Sequence, residues 1–78
     1  MQIEIYGAPW CGYCQQAKRL CEENNVDFIY IDVDDTEQLR KLEARLGAPA
    51  RAIPQIFLDN NLISTGFNGL KEAIKNIQ

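Results

Sequence analysis

The sequence predicts an α/β fold of order β-α-β-α-β-β-α, a four-stranded mixed sheet flanked by three helices. Three observations carry that prediction. Residues 2–6, QIEIY, alternate polar and apolar around β-branched Ile3 and Ile5. From Gly12 to about Asn24, the residues Cys14, Ala17, Leu20 and Cys21 recur at helical spacing. Residues 27–33, DFIYIDV, are a dense β-branched and aromatic run of the kind that fills a buried inner strand.

Taken in chain order, Gly7-Ala8-Pro9 stops the first strand as turn-forming residues should. The helix that follows leaves Gln15, Gln16, Lys18, Arg19, Glu22 and Glu23 for solvent. It carries the chain back across the sheet, so the run at 27–33 pairs in parallel with the first strand as a βαβ unit. Asp35 or Thr36 can N-cap a second helix, which runs to Leu46 with Leu39, Leu42 and Leu46 on one face and stops at Gly47. Residues 48–54 read as a loop. Residues 55–59, QIFLD, form a third strand, Asn60-Asn61 a turn, and residues 62–64 a short fourth strand in a hairpin with it. A last helix starts at Asn68 or Gly69 and ends at Ile77, with Leu70, Ala73, Ile74 and Ile77 on its apolar side.

A chain of 78 residues is expected to form one domain with a modest core and room for a single site. With a net charge of −3 and eight Lys plus Arg in no dense run, it carries no electrostatic footprint for nucleic acid or an anionic membrane. No segment approaches the roughly 18 apolar residues of a membrane span, and the start lacks the basic and apolar regions of a secretory signal. The expected location is the cytoplasm. In that reducing compartment three cysteines, an odd number, do not suit a disulfide-stapled scaffold, so a C-x-x-C pair is metal-binding or catalytic.

Cys11 closes the strand-to-helix loop and Cys14 lies in the first turn of the helix, so their sulfurs share one face at a separation a disulfide can bridge. The unpaired N–H groups and positive dipole end of a helix stabilise an anion, which favours a thiolate on Cys11, the more N-terminal and more exposed of the two. Acidity adds only about threefold to attack near neutrality, because a more stable thiolate is also a poorer nucleophile. The larger benefit comes when Cys11 is the leaving group. Cys14, one turn deeper, is the natural resolving thiol. A closed zinc site would need four ligands, and the chain has no His and only Cys21 beyond the pair. Cys21, beside Leu20, reads as a small buried hydrophobe.

With these residues in view, the chain resembles a glutaredoxin of the thioredoxin superfamily over nearly its whole length. CGYC and the following QQAKRL are similar to the C-P-Y-C active site and first helix of that family. AIPQIF at 52–57 resembles its T-V-P-x-I-F segment, TGFNGL at 65–70 its G-G-x-D-D-L segment, and IEIYG its first strand. The resemblance implies a thioredoxin-like fold, a Cys11/Cys14 dithiol–disulfide couple, and glutathione as reductant. It also implies a cis peptide before Pro54, where the backbone of Ile53 meets an extended thiol substrate. By position, the implied glutathione contacts are Tyr13, Arg51, Ile53, Pro54, Gly66, Phe67 and Asn68. Arg51 is either a partner for a glutathione carboxylate or a solvated loop charge.

Several departures bear on that reading. Ala8 stands where many glutaredoxins carry a lysine, Thr65 replaces the first glycine of a pair, and Asn68-Gly69 replace acidic residues. APWCG resembles the lead-in of a thioredoxin active site, and TGF resembles the SGF of redoxins that are reduced by thioredoxin reductase and serve ribonucleotide reductase. The resemblance therefore implies a monomeric reductase of protein disulfides or glutathione mixed disulfides, with ribonucleotide reductase among its expected partners. Its alternatives are a thioredoxin-reductase-dependent redoxin and, with Gly12 in place of the usual active-site proline, a glutathione-ligated [2Fe–2S] carrier. Trp10 is either an exposed docking surface or a packed lid on the helix.

Overall fold

The computed structural model describes residues 2–77, the side chains of 64, 65, 76 and 77 excepted. The elements follow the predicted order: β1 Ile3–Gly7, α1 Gly12–Glu23, β2 Phe28–Asp32, α2 Thr36–Leu46, β3 Gln55–Leu58, β4 Asn61–Thr65 and α3 Phe67–Ile77. The four strands lie in the order β2-β1-β3-β4. β1 pairs in parallel with β2 and antiparallel with β3, and β4 closes the hairpin. The sheet is therefore mixed, as the sequence predicts. The apolar assignment of Ile77 lies outside the described side chains.

Period-two alternation sorts the side chains of the strands onto two faces. Ile3, Ile5 and Ile56 point to one face and pack with Ala17 and Cys21 of α1, Val26, and Leu70 and Ile74 of α3. Tyr6 and Phe57 point to the other, where Leu42 of α2 joins them with Ile31, Val33 and Leu46 at the margin. Arg45 crosses the end of that second core. Its guanidinium carbon stacks 3.8 Å from the Phe57 ring centroid while Nη1 donates to Glu4 and to the Tyr6 hydroxyl, each at 2.9 Å. Desolvation pulls the Arg45 proton affinity down, but the hydrogen bonds to Glu4 and Tyr6 outweigh it and leave the group more basic than usual.

Local chemistry sets the helix ends. The Asp35 carboxylate caps α2 by accepting from Glu37 N at 2.9 Å and Gln38 N at 3.4 Å, so Asp35 rather than Thr36 fills that role. Gly47 ends α2 in the left-handed region at φ 70°, where a Cβ would be strained.

Three expectations are corrected. β2 is an edge strand, not an inner one, and Ile29 is 45% exposed. The inner position beside β2 belongs to β1, because β3 returns on the far side of β1 and leaves one edge of β2 open. The hairpin turn falls on Asp59-Asn60, with φ 48° and 73°, one residue earlier than expected. Two consecutive positive φ values describe a tight hairpin turn, and Asp and Asn both tolerate that conformation. α3 begins at Phe67, earlier than expected, because Gly66 at φ 133° turns the chain while its N–H donates to Pro54 O at 2.9 Å.

Candidate active site

β1 ends with Gly7, and the chain passes through Ala8-Pro9-Trp10 to enter α1 at Cys11. Cys11 is itself the N-cap: its backbone is extended, and its Sγ accepts a hydrogen bond from Cys14 N at 3.2 Å. A thiolate there receives a backbone donor and the positive end of a twelve-residue helix. Cys11 retains 9% exposure and Cys14 none, so the expected ordering of the two thiols is the one observed. Both are free thiols in the described structure. Burial first, and then its hydrogen bond to Cys11, push the Cys14 thiol up to about 12, so Cys14 holds its proton beneath the slightly more accessible Cys11.

Around the pair lies a small cluster of Ala8, Cys11 and Cys14, against which Tyr30 and Ile53 pack. The Ile53–Pro54 peptide is cis. Ile53 also divides two clefts. The first, about 260 Å³, is lined by Tyr13, Ile53, Pro54, Gly66, Phe67 and Asn68. The Tyr13 and Phe67 rings face each other across it, with centroids 6.5 Å apart. The second, about 290 Å³, is lined by Trp10, Val33, Asp34, Leu39, Ala50, Arg51, Ala52 and Ile53.

Six of the seven positions implied for glutathione therefore share one cleft, from three separate segments of the chain. Arg51 lies instead in the second cleft, across Ile53 from the other five. Trp10 is 71% exposed, and its Nε1 donates to the Asp34 carboxylate at 3.0 and 3.1 Å. Of its two readings, the packed lid is the one the structure rejects.

Three residues beside Cys14 were given no role at the site by the sequence, and one of them, Gln15, expected on the solvent face of α1, turns inward instead. The Tyr30 hydroxyl donates to Ala8 O at 3.2 Å, and Gln15 Nε2 donates both to that carbonyl and to the Tyr30 oxygen, at 3.2 and 3.3 Å. Gly7 completes the group: a Cβ there would lie 2.7 Å from Tyr30 Oη and 2.8 Å from both Cβ and Sγ of Cys14. The sequence signal for any of them is the Tyr30 phenol among the apolar residues Phe28, Ile29 and Ile31, since a tyrosine hydroxyl packed against a core needs a partner.

Among the described residues, no group of three or more His, Cys, Asp or Glu could hold a metal ion, and no helix is long and apolar enough to cross a membrane.

Comparison with known proteins agrees with this geometry. Residues 3–63 match the family model for glutaredoxin. The chain is 35% identical to the glutaredoxin of Haemophilus influenzae, with 90% of each chain covered. It superimposes on glutaredoxin 1 of Francisella tularensis with a TM-score of 0.77 at 35% identity, covering 97% of this chain and 94% of that one. The glutaredoxin-like NrdH-redoxin of Escherichia coli gives a TM-score of 0.76 at 26% identity, over 100% and 96% of the two chains. A sheet with one C-x-x-C pair at a helix start, matched by these relatives in sequence and shape, leaves one conclusion: the chain belongs to the glutaredoxin family of the thioredoxin superfamily and is a thiol–disulfide oxidoreductase.

Proposed function

We propose that the chain reduces protein disulfides and glutathione mixed disulfides through a Cys11/Cys14 couple. The observation that carries this reading is the Cys11 sulfur at the α1 N-terminus, 3.2 Å from Cys14 N, with Ile53 beside it opening onto two clefts. A Cys11 thiolate attacks the substrate disulfide and expels one sulfur as a thiolate, leaving a mixed disulfide on Cys11. Cys14 gives up its proton and attacks the Cys11 sulfur. The second substrate sulfur then leaves as a thiolate, takes up a proton, and the Cys11–Cys14 disulfide remains. Two electrons pass from the pair to the substrate, and two external thiols or a reductase return them.

Glutathione is the proposed reductant, held in the cleft of Tyr13, Ile53, Pro54, Gly66, Phe67 and Asn68. The start of α3, Phe67–Ile77, offers its free N–H groups to a carboxylate there, and the Tyr13 and Phe67 rings flank the peptide. Ribonucleotide reductase, in a reducing cytoplasm, is the proposed protein client.

A second reading, a redoxin reduced by thioredoxin reductase, is favoured by one observation: Arg51 lies outside the cleft that would hold glutathione. The Escherichia coli NrdH-redoxin, a glutaredoxin-like protein with a thioredoxin-like activity profile, is consistent with it. Reduction of a glutathionylated disulfide, driven either by glutathione or by NADPH with thioredoxin reductase, separates the two. Turnover with glutathione is expected. Turnover with the reductase alone would replace the first reading by the second.

A further inference from the structure

Tyr30 stands in β2 with its ring against α1 and its hydroxyl beside the Cys11/Cys14 cluster. Ala8 and Ile53 pack against the pair, and the groups that lower the Cys14 thiol are the Ala8 backbone first and then this hydroxyl. In the reduced pair that hydroxyl donates to Ala8 O at 3.2 Å. Gly7 leaves the space in which hydroxyl and sulfur meet, since a Cβ at that position would lie within 2.8 Å of each. Gln15 Nε2, donating to the phenol oxygen at 3.3 Å, holds the hydroxyl in place and strengthens it as a donor.

We infer that the Tyr30 hydroxyl is the side-chain donor that supports the Cys14 thiolate during resolution, turning its proton from the Ala8 carbonyl to the Cys14 sulfur as that sulfur ionises. The inference rests on Cys14 being the resolving thiol, as proposed above.

The chemistry of the step explains why such a donor is needed. Burial, and then the hydrogen bond to Cys11, keep the Cys14 proton in place in the reduced pair. Once Cys11 is tied up in the mixed disulfide, its charge is gone and burial is the main obstacle left. Cys14 must then become an anion in a site without solvent, and a charged acceptor draws more from a hydroxyl than a carbonyl does. Burial, with the neighbouring Cys14, Cys11 and Asp32, pushes the phenol itself up to about 12, so Tyr30 stays a protonated donor throughout the working range. The balance is Cys11–S–S–R plus Cys14–SH giving Cys11–S–S–Cys14 plus R–SH. The Cys14 sulfur is oxidised, the R sulfur is reduced, the departing thiolate takes up the proton that Cys14 loses, and Tyr30 keeps its own.

Among the described residues, few titratable or charged groups face this sulfur or the Tyr30 phenol beside it. α1 contributes Cys11 and, over the Tyr30 ring at 5.4 Å, the Lys18 ammonium. β2 contributes Tyr30 and Asp32. β1 contributes Gly7, the turn after it Ala8, and the segment before β3 Ile53, none of which carries a titratable side chain.

The test is a single-turnover, acid-quenched time course with a glutathione mixed disulfide, in which mass separates the Cys11 adduct from the internal disulfide. In Tyr30→Phe the adduct should form at the wild-type rate. Its conversion to the internal disulfide should be about tenfold slower near neutral pH, with the midpoint of that step moved up by about one pH unit. The shift is upward because a group that lowers the thiol has been removed. An unchanged conversion rate and midpoint would overturn the inference. Should Tyr30→Phe fail to fold, Gln15→Leu should move the same midpoint upward by a smaller amount, and no movement would overturn it equally. Cys14→Ser must abolish conversion altogether. If it does not, the assignment of Cys14 has failed, and that result is distinct from a failure of Tyr30.

Discussion

Cys14 and Cys21 lie seven residues apart on one face of α1, and neither has any exposed surface. Burial raises both thiols, Cys14 to about 12 and Cys21 to about 11. By depth and acidity the two are nearly interchangeable. Their surroundings are not. Cys21 packs among Ile3, Ile5, Ala17, Val26, Ile56, Leu70 and Ile74. Cys14 sits one turn from a sulfur at the helix cap and beside a tyrosine hydroxyl, a glutamine amide and a bare glycine backbone. Burial alone makes a small hydrophobe. The resolving role proposed for Cys14 asks for more: polar neighbours able to answer its charge and a second sulfur within reach.

The largest effect that can break this comparison is on turnover. Cys14→Ser should lower reduction of a protein disulfide by about a hundredfold or more, because no second sulfur remains to release the client. Cys21→Ala should keep the rate within about twofold while lowering stability by about 1 kcal/mol in a urea titration, the cost of a small cavity in the core. Equal losses from the two variants would erase the distinction.

A smaller effect is expected from glycine. Gly7→Ala forces a methyl within 2.8 Å of the Cys14 Cβ, so α1 must move off β1. The expected cost is about 1–3 kcal/mol, read as a lower melting temperature. Gly12→Ala meets nothing within 4 Å and should gain about 0.5 kcal/mol from the helical backbone. A Gly7→Ala protein as stable as wild type would mean that the packing around Cys14 is looser than described.

Much of this arrangement was legible from local chemistry. The C-x-x-C pair at a strand-to-helix junction, the Asp35 cap, the Gly47 stop and the element order all announce themselves in short windows of sequence. What was hidden is tertiary. The apolar run of β2 suggested an inner strand, but which side of β1 receives β3 is not encoded in either strand's pattern. Asp59-Asn60 and Asn60-Asn61 offer equivalent turn chemistry, and only the pairing with β4 selects the first. Arg51 is two residues from Ile53 along the chain, yet it lines the cleft on the other side. Tyr30, Gln15 and Gly7 converge on Cys14 from two strands and a helix, with no shared motif to mark them.

The central claim, that Cys11 alone among the three thiols exchanges with substrate, is tested most directly by locating the adduct. Cys14→Ser protein, briefly exposed to a glutathione mixed disulfide and then denatured, alkylated and digested, should carry glutathione on the Cys11 peptide and the alkyl group alone on Cys21. Glutathione found on Cys21, or on neither cysteine, would contradict the account.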